Sequence, residues 1–469
     1  IPHQGGRQLQ KGDTGYRILH DWIAAGAEEN RVGRRQLKRL TIEPVASVVD
    51  APGDRQKLKV TAHFDSGSPD DVTDRCRFSV TDAEVAELET PGTVRKLKRG
   101  EVTVSAEYVG AMASATVSFR EPVAGFSWPN PPVSNPVDDH VFARLKALQI
   151  EPSGLCDDTT FVRRILLDTN GRLPTAVETR AFLADPAADK RRRLIDRLLD
   201  HSDFARWWAM KWTDRLGCNQ RFVGKWGAIK FHSWIRHHMA VNTPHDDFVR
   251  GILVASGPNY SNPPAGFWRR LRVGGISKMD PLLAAEEISQ LFLGVRIQCA
   301  RCHNHPGEHW TQDDYYGLAA FFPRLAFKEG PYVNHRYDKE DTVYAILSGE
   351  VTHPRSGTVS TPRFLGGVRP KIAPGVDRRV AFADWATSPE NPFFARAAVN
   401  RIWYQLLGRG IVEPVDDFRG SNPPSQPQLL EWLTREFVSS GFDRKHIIRL
   451  VLNSHTYQLG FQPTPTATS

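Results

Sequence analysis

Ile288-Ser289-Gln290-Leu291-Phe292-Leu293-Gly294-Val295-Arg296-Ile297-Gln298-Cys299-Ala300-Arg301-Cys302-His303-Asn304-His305-Pro306 carries both a period and a motif. Ile288, Leu291, Phe292 and Val295 stand at i, i+3, i+4 and i+7, the spacing of one apolar helix face, so a long helix is predicted from Leu282 to Cys299. The end of that helix delivers the one C-x-x-C-H of the chain, Cys299, Cys302 and His303. Two thiols at this spacing suit thioether bonds to the vinyl groups of a haem, and the adjacent imidazole suits its iron. Haem c is therefore the expected cofactor, with Cys299 and Cys302 as anchors and His303 as the ligand on one face.

The group opposite His303 decides the chemistry: a second strong ligand gives electron transfer, while an open position permits peroxide or small-ligand chemistry. His305, Met279, Met239, His232, His237 and His238 are the candidates. His305 stands too close to His303 in the chain to reach the far side of the same iron. Met279, a turn before the predicted helix, is the expected cofactor-binding thioether. Arg296 and Arg301 are candidates for pairing with haem propionates, with an ordinary surface role as the alternative. The rival reading is a non-haem metal site in which Cys299, Cys302, His303 and His305 hold zinc or another transition metal. A reducible Cys299–Cys302 disulfide is the third.

With 40% apolar and 24% charged residues, the chain has the composition of a soluble globular protein. Its 469 residues give roughly two to four domains. It has no run of about 18 apolar residues, so no membrane span is expected in it. The formal charge of +8 is spread through clusters such as Lys190-Arg191-Arg192-Arg193 and Arg269-Arg270-Leu271-Arg272. These read as solvated faces, or as attractors of an anionic polymer or acidic partner; no nucleic-acid motif accompanies them, and no nucleic-acid partner is expected. Of the five cysteines, Cys76, Cys156 and Cys218 remain if the other two carry haem, which leaves room for at most one disulfide. Cys76 reads as a small core residue. No Ser-His-Asp order, phosphate loop or carboxylate pair establishes a reaction, so whether the protein is an enzyme stays open.

Tyr16, Leu19, Ile23 and Trp22 fall at helical spacing with Gly26 as the stop, within a stretch, 1–30, too short to build a core alone. Residues 36–121 alternate with period two between Gly, Pro and Asp punctuation, as in Leu58 to Phe64, Arg77 to Val80, Val85 to Leu88 and Glu101 to Tyr108, and predict an all-β antiparallel sandwich. Residues 122–137 form a Pro-rich linker laid over a neighbour through Phe126 and Trp128. A mainly α-helical region follows, 138–330 and 366–469. Its expected elements include a helix over 204–216 capped by Ser202, with Trp207, Trp208 and Trp212 in the core. Residues 257–267 read as irregular. Asp416, Asp417 and Arg419 are expected to form a structural cross-link, with metal or sugar binding as the alternative.

Several stretches resemble known families. Residues 1–30, with Trp22-Ile23-Ala24-Ala25-Gly26-Ala27, resemble the C-terminal end of a planctomycete-type cytochrome c domain, whose haem His3 would have faced. Thr61 to Ser68, Asp71 to Thr73 and Gly100 to Ala106 make 36–121 similar to a group 2 bacterial immunoglobulin-like domain. Phe292 to Pro306 with Trp310-Thr311-Gln312-Asp313-Asp314-Tyr315-Tyr316-Gly317-Leu318 resembles large planctomycete and verrucomicrobial cytochrome-type proteins; the likeness extends upstream to about residue 138, and Gly307-Glu308-His309 departs from the pattern. Arg401-Ile402-Trp403, Gly408 to Arg419 and Asn422-Pro423-Pro424 resemble the companion C-terminal domain of unknown function, which usually continues past the last residue here. The resemblance implies an extracytoplasmic protein, periplasmic or on the cell surface, acting in electron transfer or a haem-linked redox step. A carbohydrate is the candidate substrate, and a redox protein or an upstream cytochrome domain of the same chain the candidate partner. The alternative is a zinc-type site in a surface module that binds carbohydrate or protein.

Overall fold

Alternating residues between tight turns become three sheets in residues 37–120. The computed structural model describes residues 14–27, 35–272, 279–305, 308–330 and 340–468, so His3 and Pro306 lie outside the described residues. One sheet pairs Leu37–Glu43 with Lys59–Phe64 and the latter with Asp70–Asp71; a second runs Arg55–Lys57, Thr93–Lys96, Ala86–Thr90. The third, of four strands, runs Ala46–Asp50, Ala111–Arg120, Gly100–Tyr108, Arg77–Val80, and its first pair is parallel. The two long strands place Val117 opposite Val102, Ala115 opposite Val104 and Ala113 opposite Ala106, and all six are buried. Same-face pairs of this kind fix the register, because a slip by one residue would send the whole set to solvent. They join Ile42, Val60 and Val94 in a single core, with Cys76 packed at its margin, where burial pushes its thiol up to about 11.

The predicted helix near the start is present as Thr14–Ala24, ended by Gly26 at φ 95°. Ile18, Trp22 and Ile23 are exposed on it. The chain divides into two compact units: residues 1–125 with 306–309 and 419–423, and 126–305 with 310–418 and 424–469.

The second unit is mainly helical and gathers the 138–330 and 366–469 stretches around one core. Trp208 and Trp212 lie in that core, while Trp207 packs at its edge and donates its ring N–H to the Asp168 carbonyl at 3.1 Å. Their helix is Ser202–Arg215, and its cap is His201, not Ser202: the His201 ring accepts from the Asp203 N–H at 3.1 Å. The segment read as irregular contributes a short strand, Gly257–Pro258, which pairs with Thr342–Ala345 beside Leu325–Lys328. Among the described residues no helix is long and apolar enough to cross a membrane.

A carboxylate closes this unit end to end. The Pro136–Ala147 helix starts at Asn135, whose side chain caps it and donates to the Leu450 carbonyl at 2.9 Å. Asp138, fully buried in its first turn, accepts from the N–H groups of Ser134, His455 and Thr456 at 2.9, 3.0 and 2.7 Å and from the Thr456 hydroxyl at 2.7 Å. The linker is drawn along: Trp128 packs on Phe142 with ring centroids 6.4 Å apart, and the Pro132 carbonyl lies 2.6 Å from the His455 ring nitrogen. Removing the acceptor takes away four part-buried hydrogen bonds to a buried carboxylate, each worth about 0.5–1.5 kcal/mol or somewhat more to a charged group, so Asp138→Ala is expected to destabilise this unit by about 2–4 kcal/mol in denaturant titrations. Asp139→Ala, on the exposed side of the same turn, is expected to stay within about 0.5 kcal/mol of wild type.

Candidate functional site

The helix before the motif begins as its sequence predicts. Asp280 accepts from the N–H groups of Leu282 and Leu283 at 2.9 and 3.2 Å, and Pro281 occupies the first helical position. It does not reach Cys299. After Pro281–Ile288 the backbone widens into a π-helical turn, Ser289–Leu293, and Gly294 at φ 68° stops it. A Cβ at Gly294 would sit 2.8 Å from the Phe418 ring and 3.2 Å from the Ala397 Cβ, so glycine is required both for the turn and for the close packing over it. The apolar period runs past the stop because Val295 and Ile297 are buried from irregular backbone.

The motif sits on a short 3-10 turn, Gln298–Arg301. Ala300 is fully buried and anchors the turn, while Cys299 and Cys302 are exposed free thiols and His303 is exposed beside them. Polar contacts hold the turn from two sides. Gln298 donates to Gln290 at 3.0 Å, Gln290 donates to Asp416 at 2.7 Å, and Arg296 donates to the same carboxylate. The Tyr316 hydroxyl and the Gln312 amide donate to the Arg301 carbonyl at 3.1 and 3.2 Å. Burial works to raise the Asp416 carboxyl, but Gln290 and Arg296 outweigh it and hold it below its ordinary value. Burial pushes the Tyr316 hydroxyl up, opposed by Arg301 and aided by Cys302 and Glu286.

The candidate propionate partners both face carboxylates of the protein: Arg296 takes Asp416, and Arg301 lies 3.8 Å from Glu286. An Asp–Arg cross-link forms at Asp416 as expected in kind, but the guanidinium there is that of Arg296, which also lies 3.9 Å from Asp417. Only the three-dimensional packing brings these groups together; adjacency in sequence favours Arg419.

His303 Nδ1 lies 2.6 Å from the Asn304 carbonyl oxygen. With its proton on Nδ1 the ring donates there, and Nε2 is the nitrogen that can bind a metal. His305 is half-buried, and its backbone N–H donates to the Trp310 carbonyl at 2.8 Å. Among the described residues no three His, Cys, Asp or Glu side chains converge as a metal-holding group, so Cys299, Cys302, His303 and His305 are neighbours without being a gathered ligand set. Met279 and Met239 are packed in the core of the helical unit, whereas the motif lies at its surface. His232, His237 and His238 share the Lys225–Ala240 helix, where His232 meets the Thr213 hydroxyl at 2.9 Å and His238 the Thr243 hydroxyl at 2.8 Å. Burial first, then His237 and Arg444, pushes the His238 ring down to about 4.

Gln290, Gln298 and Tyr316, which steady the turn, are not singled out by sequence reading; a polar Gln290 inside an apolar helical run is the one clue to them. The turn offers two thiols to groups arriving from solvent and one imidazole with a fixed ring. Its placement depends on Gly294. Gly294→Ala combines the left-handed backbone penalty of about 1–2 kcal/mol with overpacking of about 1–3 kcal/mol, and is expected to lower stability by about 2–4 kcal/mol. Chemical denaturation measures the loss, and faster labelling of Ile297→Cys than in a Gly294 background would report the loosened turn.

Residues 136–326, which include the motif, match the model of a family described as PSCyt2, a protein of unknown function (DUF1549). Residues 378–469 match that of a family described as PSD1, a protein of unknown function (DUF1553). No curated protein matches the chain. The domain composition is therefore a PSCyt2 stretch followed by a PSD1 stretch.

Proposed function

We propose that Cys299, Cys302 and His303 form a c-type haem attachment site, and that the protein acts outside the cytoplasm in electron transfer or a haem-linked redox step. The observation that carries this reading is the arrangement on the 3-10 turn: two exposed thiols flank the buried Ala300, followed by an exposed imidazole whose Nδ1 meets a backbone carbonyl at 2.6 Å. A proximal histidine needs that second-nitrogen contact to fix its ring, and thioether bonds need reachable thiols. The cytochrome-like name of the PSCyt2 family points the same way.

Haem held there would supply a one-electron couple. The chain's own part is to present the thiols, to bind iron through His303 Nε2, and to hold the turn through Gln298, Gln312 and Tyr316. The zinc alternative asks more of the structure, because its four donors would have to be drawn together from a turn that does not gather them. Residues 36–121 are read as an immunoglobulin-like spacer, and a carbohydrate remains the candidate substrate class.

Expression with c-type maturation machinery is expected to give a Soret band, a pyridine haemochrome spectrum and covalently bound haem by mass. Cys299→Ala with Cys302→Ala is expected to abolish covalent attachment. His303→Ala is expected to retain it while shifting the spectrum. Stoichiometric zinc without a Soret band would sink the reading, and a Met279→Leu protein with an unchanged spectrum would remove Met279 from the sixth position.

A further inference from the structure

Arg379 and Arg401 are both buried, 1% and 6% exposed, but their surroundings treat them differently. Arg379 has the Asp377 carboxylate at 2.7 Å, the Ala255 carbonyl at 2.8 Å and the Ser256 hydroxyl at 2.7 Å. Arg401, on the Phe394–Leu407 helix, donates to the Leu291 carbonyl at 2.7 Å, and among the described residues its side chain has no other hydrogen bond and no ion pair. Arg215, at the end of the Ser202–Arg215 helix, lies over the Trp212 ring at 5.8 Å, and among the described residues its side chain forms no hydrogen bond or ion pair. Burial, and after it the charge of Arg401, disfavours the charged form of Arg215.

Both guanidiniums line a cavity of about 300 Å³, together with Glu287, Gln290 and Asp416. The two acids do not neutralise them. Glu287 takes Arg270 at 2.7 Å, and Asp416 takes Gln290 at 2.7 Å and Arg296. Asp416 therefore gives Arg401 only a longer-range attraction. Behind the same two arginines a pocket of about 20 Å³, walled by Trp208, Trp212 and His245, has room for little more than a water. The larger cavity thus has two cationic forks, hydrogen-bonding capacity left on both, and the volume of a small ligand site.

We propose that this cavity binds a small organic oxyanion, a carboxylate or a sulfate or phosphate ester of roughly monosaccharide size, whose charged end is forked by Arg215 and Arg401. Planar guanidiniums match the oxygens of such groups two at a time, and an anion between them offsets their mutual repulsion. The Gln290 wall of the cavity accepts from Gln298, the residue before Cys299, so the ligand would sit one hydrogen bond from the motif turn. The site uses no atom of a haem and stands independently of the haem reading.

The test is thermal melting and calorimetry of the full chain with sodium sulfate, sodium phosphate, sodium acetate and sodium glucuronate, each against sodium chloride at matched ionic strength. At least one oxyanion is expected to raise the melting temperature saturably where chloride does not. Carboxylates acting alone would assign a carboxylate ligand; sulfate or phosphate acting alone would assign an ester. Arg215→Gln is expected to weaken that response at least about tenfold, and so is Arg401→Lys, which keeps the charge but loses the fork. Arg192→Gln, on an exposed helix face, should leave it unchanged. Arg401→Lys carries the test if Arg215→Gln does not fold. No oxyanion-specific response in the wild type, or one that survives these two substitutions, overturns the proposal.

Discussion

Where the chain passes beneath Phe418, only a residue without a Cβ can keep the backbone in place. Gly294 satisfies that requirement, and its carbonyl then accepts from the Phe418 N–H at 2.8 Å. Two stretches separated by more than a hundred residues are thereby fixed to each other at the point where the helix must end. The consequence for chemistry is direct. Had the helix continued through 299 as its period predicts, Ala300 would have shared a helical face with its neighbours; instead it is buried under a tight turn, and both thiols face solvent.

The same turn shows why local pattern reading succeeds and where it stops. Asp280, Pro281 and the apolar residues from Ile288 to Phe292 are local signals, and they specify a helix start and a buried face. The stop is tertiary, because glycine is tolerated inside a periodic pattern unless something packs against it. In the strand-rich unit, Gly100–Tyr108 is legible because Val102 and Val104 alternate with polar residues. Its neighbour Ala111–Arg120 buries Ala113 and Ala115, whose small side chains give a weak alternation, and it escapes the reading although it is a central strand of its sheet. The C-x-x-C-H spacing is visible in the sequence itself; the residues that steady its turn are not, since Gln290, Tyr316 and Asp416 meet it only in the folded chain.

Charge placement follows a similar division. Of the Arg-rich run at 190–193, Arg192 and Arg193 pair with nearby acids at the surface, as a solvated face should, and pairs of this kind contribute about 0–1 kcal/mol. Arg379 and Arg401 come from stretches with no unusual charge pattern, yet both are buried. Arg379 is tied to Asp377 and to carbonyls from the earlier helical stretch, a cross-link that helps make one unit of the two family-matched stretches.

Among the described residues, the one hydrogen-bond partner of the Arg401 side chain is owed to the irregularity at the helix end. In a regular α-helix the Leu291 carbonyl would accept from the Val295 N–H. The widened turn sends that N–H to Ser289 instead, at 3.0 Å, and the Gly294 N–H goes to Ser289 as well. Leu291 is left with an open carbonyl pointing away from its own helix, and Arg401 takes it. The π-helical turn that shortens the helix therefore does two things with one backbone distortion: it turns the chain toward the C-x-x-C-H segment, and it docks a buried guanidinium in the wall of the neighbouring cavity. Single-turn distortions of this kind cost helix hydrogen bonds and persist where the freed groups find other partners. Here the other partner is a charge, which links the geometry of the motif to the electrostatics of the cavity beside it.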